Sequence, residues 1–397
     1  DINMLYCIQS KNTFVKVRRF MGDFSILTTT ALRKKNRNRI FQMIYHAENP
    51  LAKQELAAVL HMSLPTVTQN LAELMELGVI AYSGTLRSSG GRKAKGIVLV
   101  EDARIAVGIS LSRNHARFVA VGLDGQERAY QKIAFSFSDT PDFSHAIAAE
   151  LELFLTQNAL PRVAVLGVGI TVPGIVNEAT DFVEFAPTLQ TTPISLETFK
   201  RDIPYPVYVE NDANAGGFAE WWNTRDATSV AYLSVEKGVG GCVLMNGQIY
   251  KGNQNRSGEF GHISVEPRGK KCSCGQRGCL EAYCSTDRLS YDLGLSIDTF
   301  FAQLAAGNAE YARIWQEYLE HLALGINTIR MVLDSRVVLG GILAQHIEPY
   351  FETLQQKVQA LNSFHDTSAY VQLCRYRSKS TCMGAALHFI AKFIEEI

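Results

Sequence analysis

One histidine and three cysteines between positions 262 and 279 have the side chains that bind zinc in proteins. They are His262, Cys272, Cys274 and Cys279. One imidazole and three thiolates form a complete tetrahedral ligand set, and Gly275 and Gly278 allow the backbone to turn tightly around a small ion. Because four ligands leave no open coordination position, the pattern predicts a structural zinc ion rather than a catalytic one. The alternative is three buried free cysteines beside an ordinary histidine, but the clustering and the glycines favour a metal site.

The positive charge of the chain is concentrated in its first hundred residues. The 397 residues carry 39 basic and 39 acidic side chains, so the formal net charge is zero. Residues 1–100 hold 14 of the basic and 6 of the acidic ones, which gives +8 there and −8 in the rest. This distribution is typical of a nucleic-acid-binding module attached to an acidic sensing domain. Chance scatter of surface charge is the alternative when the asymmetry is taken alone.

The composition, 47% apolar and 20% charged, is that of a globular protein, and the length predicts two or three domains. No apolar run reaches the roughly 18–20 residues that span a bilayer, and no signal segment opens the chain, so we expect no membrane insertion. Eight cysteines, three of them in the metal pattern, fit a reducing cytoplasm better than a disulfide framework. We therefore expect a cytoplasmic protein, and we assign no function to residues 1–31.

Residues 36–82 have the pattern of three helices followed by the start of a hairpin. A first helix has an apolar stripe at Ile40, Ile44 and Ala47, with Phe41 and Met43 beside it. A second helix covers residues 53–60, and Ser63 caps a third helix that has Pro65 in its first turn and ends at Gly78. The residues of the third helix expected to face inward are Leu64, Val67, Leu71, Leu74 and Met75.

Polar side chains near the start of the third helix lie where a recognition helix contacts bases. They are Thr66, Thr68, Gln69 and Asn70, all expected to face outward or sideways. The hairpin tip after Tyr82 is basic and rich in glycine, and we expect its Arg92 and Lys93 to bind DNA, since such a tip packs against nothing. The sequence thus predicts a winged helix-turn-helix over residues 32–100 that binds operator DNA. A helical hairpin used only for dimer contacts is the alternative.

From about residue 104 onward, strand and helix patterns alternate, which predicts an α/β body. Strands are expected over residues 105–109, 118–123, 163–170, 207–209, 230–235, 241–245 and 337–339, and helices over 143–157, 309–330 and about 381–396.

Several runs in this body, together with the zinc pattern, resemble motifs of the ROK family, which contains bacterial repressors and sugar kinases. The runs are Gly169-Ile-Thr-Val-Pro-Gly174, Glu210-Asn-Asp-Ala-Asn214, Ser257-Gly-Glu-Phe-Gly-His262 and Val338-Leu-Gly-Gly341. The resemblance implies a two-lobed, actin-like ATPase fold of the sugar-kinase type, with a first lobe of residues 101–208 plus about 381–397 and a second lobe of residues 209–380. The N-terminal module is similar to that of the family's repressors, whose wing run looks like Gly90-Gly-Arg-Lys93.

The resemblance also implies a sugar site. In sugar-binding members, an Asn, an Asp, two Glu and the zinc-bound His hold the sugar hydroxyls, and the matching residues are Asn211, Asp212, Glu259, His262 and Glu281. Carboxylates and an amide can satisfy several hydroxyls with charge-assisted bonds, and a zinc-bound imidazole keeps one nitrogen for the ligand. Asn-Asp is also common in turns, so a purely structural Asp212 is the alternative. Thr188 stands where the family has Asn, which leaves the identity of the sugar open.

Both phosphate-binding loops of the family's kinases are altered. Residues 110–114, Ser-Leu-Ser-Arg-Asn, replace Asp-x-Gly-Gly-Thr, and residues 236–240, Glu-Lys-Gly-Val-Gly, replace Gly-Thr-Gly-x-Gly. Asp212 matches the catalytic base, but a backbone with Ser and Arg side chains approaches phosphate less closely than one with glycine. Glu236 also adds a negative charge near a nucleotide's phosphates. We therefore expect no ATP binding and no enzymatic activity.

Together these features predict a sugar-responsive transcriptional repressor, a homodimer or homotetramer that binds a sugar or sugar phosphate. One alternative is a ROK sugar kinase with an accessory DNA-binding module. The other is a repressor controlled by a phosphotransferase-system protein, although the retained Asn211, Asp212 and Asn214 favour a direct sugar ligand.

Overall fold

The computed structural model describes residues 29–85, 95–140, 142–190, 193–224, 228–364 and 367–397. Arg92, Lys93 and the rest of the predicted wing tip lie outside these described residues. Within the described part, no helix is both long enough and apolar enough to cross a bilayer.

Three helices and a two-stranded antiparallel sheet form the N-terminal part. They are α1 (Thr29–Tyr45), α2 (Lys53–Leu60), α3 (Leu64–Glu76), β1 (Ile80–Thr85) and β2 (Lys95–Leu99). Ser63 caps α3 as predicted, since its Oγ accepts a hydrogen bond from the Thr66 amide at 3.2 Å. The first helix starts earlier than predicted, at Thr29, and Ala47 lies beyond its end rather than in its apolar stripe.

Two residues of α3 lie differently from the prediction. Leu64, expected to face inward, is 45% exposed because it is the first residue of the helix and extends past the core. Asn70, expected to face outward, is 2% exposed and lies among the inward-facing residues of α3. Its Nδ2 donates to the Thr66 carbonyl one turn earlier, at 2.8 Å. Asn70 is therefore part of the helix packing and not available to a base.

The first lobe is built on a five-stranded sheet with the order β10-β6-β3-β4-β5. Strands β3, β4 and β5 are antiparallel neighbours, whereas β6 and β10 run parallel to β3. Helix α4 covers one face of this sheet, and a small three-stranded sheet with α5 precedes the last strand. The bounds are β3 (Ile105–Leu111), β4 (His115–Gly122), β5 (Glu127–Ala134), α4 (Asp142–Gln157), β6 (Val165–Val172), β7 (Ile175–Asn177), β8 (Phe182–Phe185), β9 (Ile194–Ser195), α5 (Glu197–Lys200) and β10 (Val207–Asn211).

The second lobe repeats this topology, with the order β13-β12-β11-β14-β15. Again three antiparallel strands are followed by two parallel ones. The bounds are α6 (Asp212–Thr224), β11 (Ser229–Val235), β12 (Val239–Met245), β13 (Gln248–Ile249), α7 (Glu281–Cys284), α8 (Ile297–Ala305), α9 (Ala309–Leu333), β14 (Arg336–Gly340), α10 (Phe351–Leu361), β15 (Val371–Leu373) and α11 (Ser380–Glu396). Each strand and helix predicted for the α/β body overlaps one of the observed elements.

Helices α6 and α11 pack on each other, and both also contact the sheets. A Cβ atom placed on Gly384 of α11 would lie 1.7 Å from the Ala215 carbonyl oxygen of α6. Likewise, a Cβ on Gly108 of β3 would lie 1.8 Å from the Cys382 carbonyl oxygen. Glycine at these two positions therefore lets α11 approach both α6 and the first sheet closely. The last helix thus packs on the first lobe, as the resemblance implies.

The N-terminal helices share a hydrophobic core with the first sheet and α11. Buried members of this core include Ile40, Phe41, Leu74, Val119, Ile390 and Ile394. Two side chains of α1 bond the end of α11: the Asn38 amide donates to the Ile394 carbonyl at 2.6 Å, and the Arg37 guanidinium donates to the Ile397 carbonyl at 2.7 Å. Helix α11 therefore connects the contact with α6 to the N-terminal helices.

Candidate metal, ligand and DNA sites

The four predicted zinc ligands converge on one point in the second lobe. Their ligand atoms all lie within 4.8 Å of one another. The sulfurs of Cys274 and Cys279 are 3.8 Å apart, as are the Cys272 sulfur and the His262 Nδ1. A tetrahedral ion with zinc–sulfur bonds of about 2.3 Å separates its sulfur ligands by about 3.8 Å. The donor set and its spacing therefore fit a tetrahedral metal ion.

The loop that carries the cysteines depends on two left-handed glycines. Gly275 has a φ of +90° and Gly278 a φ of +83°, and a Cβ on Gly278 would lie 2.0 Å from the Glu266 carbonyl oxygen. Burial raises the pKa of the Cys272 thiol, and it raises the pKa of the Cys279 thiol to about 12. A cation that binds these sulfurs must therefore displace protons, so its affinity falls as the pH is lowered.

Four of the predicted sugar ligands lie close to one another. Asp212 begins α6, where its Oδ1 accepts a hydrogen bond from the Ala213 amide at 2.8 Å. His262 Nε2, on the opposite side of the ring from the cysteines, is 4.0 Å from a Glu259 carboxylate oxygen. Glu259 in turn experiences the charge of Glu281, and Asp212 the charge of Glu259. The Cys272 sulfur lies 3.8 Å from His262 Nδ1 and 3.6 Å from Glu281 Oε1, so His262, Glu259 and Glu281 lie together, and Asp212 is near enough for the charge of Glu259 to raise its pKa.

Glu281 is also bonded to both neighbouring loops. Its Oε2 accepts from the Val239 amide at 3.1 Å, and its Oε1 accepts from the Ser273 hydroxyl at 2.5 Å. The cysteine loop and the β11–β12 turn therefore meet at this carboxylate.

A buried acid, Glu210, holds in place Asn211, the fifth residue predicted to bind the sugar. The sequence alone had assigned Glu210 no role. Glu210 is 2% exposed, and its Oε1 accepts from the Asn211 amide at 2.8 Å and from the Asn214 side chain at 3.1 Å. Its Oε2 lies 2.9 Å from the Lys251 ammonium of the second lobe. The Asn211 side chain donates to the Gly174 carbonyl at 2.9 Å, which leaves one amide hydrogen for a ligand. The sequence signal that could have identified Glu210 is an acidic residue within an otherwise apolar strand.

The two altered phosphate loops form tight turns between strands. In the first lobe, the Ser112 amide donates to the His115 carbonyl at 2.9 Å. In the second, the Glu236 amide donates to the Gly238 carbonyl at 2.8 Å. Thr188, which stands where the family has Asn, is exposed in a short turn after β8.

Burial and the neighbouring charges of Glu236 and Glu259 raise the pKa of Asp212 to about 7. An unfolded chain releases this proton near pH 4, so between about pH 4 and pH 7 the folded state binds more protons than the unfolded state. The free energy of unfolding therefore includes a contribution from protonated Asp212 that is fully present below about pH 4 and is lost as the pH rises to about 7. We expect Asp212→Asn to gain stability relative to the wild type across this window, measured by urea unfolding at pH 4.5, 5.5 and 7.5. A difference that does not change with pH would contradict the raised pKa.

The predicted base-contacting residues of α3 differ in how they are bonded. Thr68 and Gln69 are exposed, but the Thr68 hydroxyl donates to the Leu64 carbonyl at 2.7 Å. The half-buried Thr66 hydroxyl lies 2.8 Å from the Ser63 hydroxyl. Within the described part of the chain, the side-chain amide of Gln69 forms no hydrogen bond. Gln69 is therefore the residue of this set most available to contact a base.

Comparison with known proteins identifies the family. A model of the ROK family matches residues 106–392. The chain belongs to the ROK family. Among ROK relatives, the xylose repressor of Bacillus subtilis is 28% identical over 268 residues, which cover 66% of this chain and 69% of that protein. The DNA-binding transcriptional dual regulator NagC of Escherichia coli is 24% identical over 263 residues, which cover 66% of this chain and 64% of that protein.

Solved ROK structures have the same fold. A ROK family transcriptional regulator, described as a homolog of the E. coli MLC protein, superposes with a TM-score of 0.73 at 22% identity and covers 92% of this chain and 97% of that one. A ROK hexokinase from Thermus thermophilus superposes with a TM-score of 0.62 at 24% identity, and the superposition covers 73% of this chain and 99% of the hexokinase. The α/β, sugar-kinase-like ROK fold implied by the resemblance is therefore confirmed.

Proposed function

We propose that this protein is a sugar-responsive transcriptional repressor that binds operator DNA through an N-terminal winged helix-turn-helix. The N-terminal part carries this proposal. The ROK regulator covers 92% of the chain and the ROK hexokinase 73%, and the difference of 19% of 397 residues is about 75 residues. This is about the size of residues 29–100. The names of the relatives, a xylose repressor and NagC, support the same function.

The proposed division of the chain follows its packing units. The DNA-binding module comprises residues 32–100, extended at its start to Thr29 by α1. Residues 101–208 with about 381–397 form the first lobe, and residues 209–380 form the second. The separate five-stranded sheets support two lobes, but they move the boundary from residue 208 to Asn211, because β10 belongs to the first sheet; α6 and α11 pack together at the junction.

The DNA contacts come from α3 and the wing. In this proposal, Gln69 and Thr68 contact base edges, Thr66 lies beside them, and Arg92 and Lys93 bind phosphates. Asn70 is not among the proposed base contacts because its side chain is buried. A symmetric homodimer places two such helices on two half-sites of an operator, and a homotetramer would use the same pairing.

Gln69→Ala should reduce the affinity for the preferred operator by about 1–3 kcal/mol and relax the preference at one base pair. The matched variant Asn70→Ala should instead lower thermal stability and leave base preference unchanged. Fluorescence anisotropy with an operator selected from genomic fragments, and with its single-base variants, measures both effects. A change of base preference in Asn70→Ala would show that this side chain reaches the DNA after all.

The cleft of the ROK body binds the sugar and, beside it, a structural zinc ion. In this proposal, Asn211, Asp212, Glu259, His262 and Glu281 hold the sugar hydroxyls, and His262, Cys272, Cys274 and Cys279 hold the metal. The support is the orientation of the His262 ring, whose Nδ1 faces the Cys272 sulfur while its Nε2 faces Glu259. One imidazole can therefore connect the metal to the ligand.

The experiment that tests the proposed function is an operator titration with and without saturating sugar. Monosaccharides and their phosphates are first screened by thermal shift, because a ligand of the folded state raises its stability. We expect one of them to weaken operator binding. Sequence-independent DNA binding, or none, would overturn the proposal. Release of operator by a phosphotransferase-system protein without any sugar would instead establish the other repressor mechanism.

A sugar kinase with an accessory DNA-binding module is the second candidate, because a carboxylate with a pKa of about 7, such as Asp212, suits a general base. The altered phosphate loops argue against it. We expect no ATP-dependent phosphorylation of glucose, N-acetylglucosamine, N-acetylmannosamine, mannose or xylose in a coupled assay. Turnover on the order of 1–10³ per second would establish the kinase.

A further inference from the structure

Two arginines of α1 bind one glutamate of α3. Glu73 Oε1 accepts hydrogen bonds from Nε of Arg33, at 2.7 Å, and from Nη2 of the same side chain. Glu73 Oε2 accepts from Arg37 Nη1 at 3.2 Å. Glu73 lies four residues after Gln69, about one helical turn, so both side chains lie toward the same side of α3. The start of α1 therefore flanks the surface of α3 that carries the proposed base contact.

The positive charge beside this surface comes from α1 and not from α3. Helix α3 contains two acidic residues, Glu73 and Glu76, and no basic one. A helix of that charge would by itself be repelled by the phosphates that border a DNA groove. Among the residues that the structure describes, Glu73 is the only carboxylate bonded to the basic side chains of α1, so most of their charge remains for a polyanion. Helix α1 has no acidic residue and five basic ones, which are Arg33, Lys34, Lys35, Arg37 and Arg39.

The guanidinium group of Arg33 is both exposed and held in place. The Arg33 side chain is 52% exposed, whereas that of Glu73 is 19% exposed. A guanidinium group has five N–H donors, and the bonds to Glu73 use two of them, so three remain for another acceptor. Because the carboxylate already fixes the orientation of this group, little side-chain freedom is lost when Arg33 binds a second anion.

The position of Arg33 fits a phosphate better than a base. A helix with its side chains is about 10–12 Å wide and the major groove of DNA about 12 Å, so a helix in the groove has a sugar–phosphate strand along each flank. Arg33 reaches the flank of α3 from another helix, whereas Gln69 lies on α3 itself. We propose that Arg33 binds a DNA phosphate beside the groove that α3 occupies, and that Glu73 positions the guanidinium group for this contact. The inference rests on the proposed function and adds α1 to the DNA interface.

Fluorescence anisotropy of the full chain over a series of salt concentrations tests the contact, with the selected operator and with an unrelated duplex of equal length. Arg33→Ala should weaken binding to both duplexes about tenfold and reduce the slope of log affinity against log salt by about 0.9, the value for one phosphate contact. Arg33→Lys keeps the charge and should recover most of this slope. Arg313→Ala, which removes an exposed charge from α9 of the second lobe, is the control and should bind as the wild type does.

Glu73→Gln distinguishes a carboxylate that positions Arg33 from one that only repels DNA. Removal of a negative charge beside DNA should by itself strengthen binding, whereas loss of the group that orients Arg33 should weaken it. We expect weaker binding to both duplexes. We also expect the double variant, Arg33→Ala with Glu73→Gln, to bind no more weakly than Arg33→Ala alone, because both changes act on the same contact.

Wild-type affinity and salt slope in Arg33→Ala would overturn the inference, and so would stronger binding by Glu73→Gln. A loss in Arg33→Ala that is confined to the operator would also overturn it, because Arg33 would then contact a base. An equal loss in Arg313→Ala would show that total charge, and not this contact, determines the affinity. If the wild type binds neither duplex, the proposed function itself fails.

Discussion

Cys279→Ser is expected to remove the metal from the protein and the sugar response with it. The metal would join His262 to the cysteine loop that leads to Glu281, and structural zinc contributes about 10–16 kcal/mol to the folding of small zinc domains. Loss of one of four ligands should reduce the metal content from about one zinc per chain to nearly none. Because a loss of 1 kcal/mol lowers the melting temperature of a domain of 150–250 residues by about 2–4 °C, the thermal transition should shift by many degrees. Elemental analysis and calorimetry measure the two effects.

The matched control is Cys374→Ser, which removes a buried thiol outside the ligand cluster. This variant should lose some stability but keep its zinc. Metal-free wild-type protein with an intact fold would show that the four side chains hold no ion.

The second large effect is expected from Asp212→Ala, which should abolish the influence of the sugar on operator binding. A sugar that contacts Asn211 at the end of β10 in the first sheet, as well as Asp212, Glu259, His262 and Glu281 of the second lobe, favours one arrangement of the lobes. Binding of the sugar should then weaken the binding of operator by about 1–3 kcal/mol. Because this coupling is reciprocal, operator must weaken the binding of sugar by the same amount. A hydrogen bond to a charged group contributes about 1.5–3 kcal/mol, so the variant should bind the sugar about 10- to 150-fold more weakly. Its operator affinity without sugar should remain nearly unchanged.

Operator titrations with and without saturating sugar measure this coupling, and sugar titrations with and without operator must give the same value. Asp298→Ala, which removes an exposed carboxylate from α8, serves as the control and should retain the coupling. If a sugar binds tightly but leaves operator affinity unchanged, the cleft is not the sensor, and control by a protein partner becomes the better explanation.

Features that depend on neighbouring residues were predicted well from the sequence. Ser63 and Pro65 marked the start of α3, because a capping side chain and a fixed φ act within one turn of the helix. The spacing of the zinc ligands also predicted their convergence, since the intervening glycines confine the loop. Short-range physics of this kind can be read directly from the order of the residues.

Features that depend on distant packing were not predicted. Asn70 is buried because α3 packs against α1 and the hairpin, and its polarity alone indicated an exposed side chain. Glu210 could be assigned no role until its contact with Lys251 of the other lobe was visible. The bond between Arg37 and Ile397 joins residues 360 positions apart. A periodic pattern indicates which face of an element is apolar, but it does not identify the element that covers this face.

The close contact between Gly384 and Ala215 gives α11 the mechanics of a lever. Ile394 lies ten residues beyond Gly384, about 15 Å along the helix axis, so a 5° rotation of α11 about this contact would move that end by about 1.3 Å. That end is bonded to Asn38 of α1, so the N-terminal helices must follow it. In the proposed symmetric dimer both α11 helices would move at once, and their displacements would add in the distance between the two α3 helices. Under the proposed function, a closure of the cleft that rotated α11 would therefore change the spacing of the two α3 helices by a distance over which a hydrogen bond to a base is made or broken.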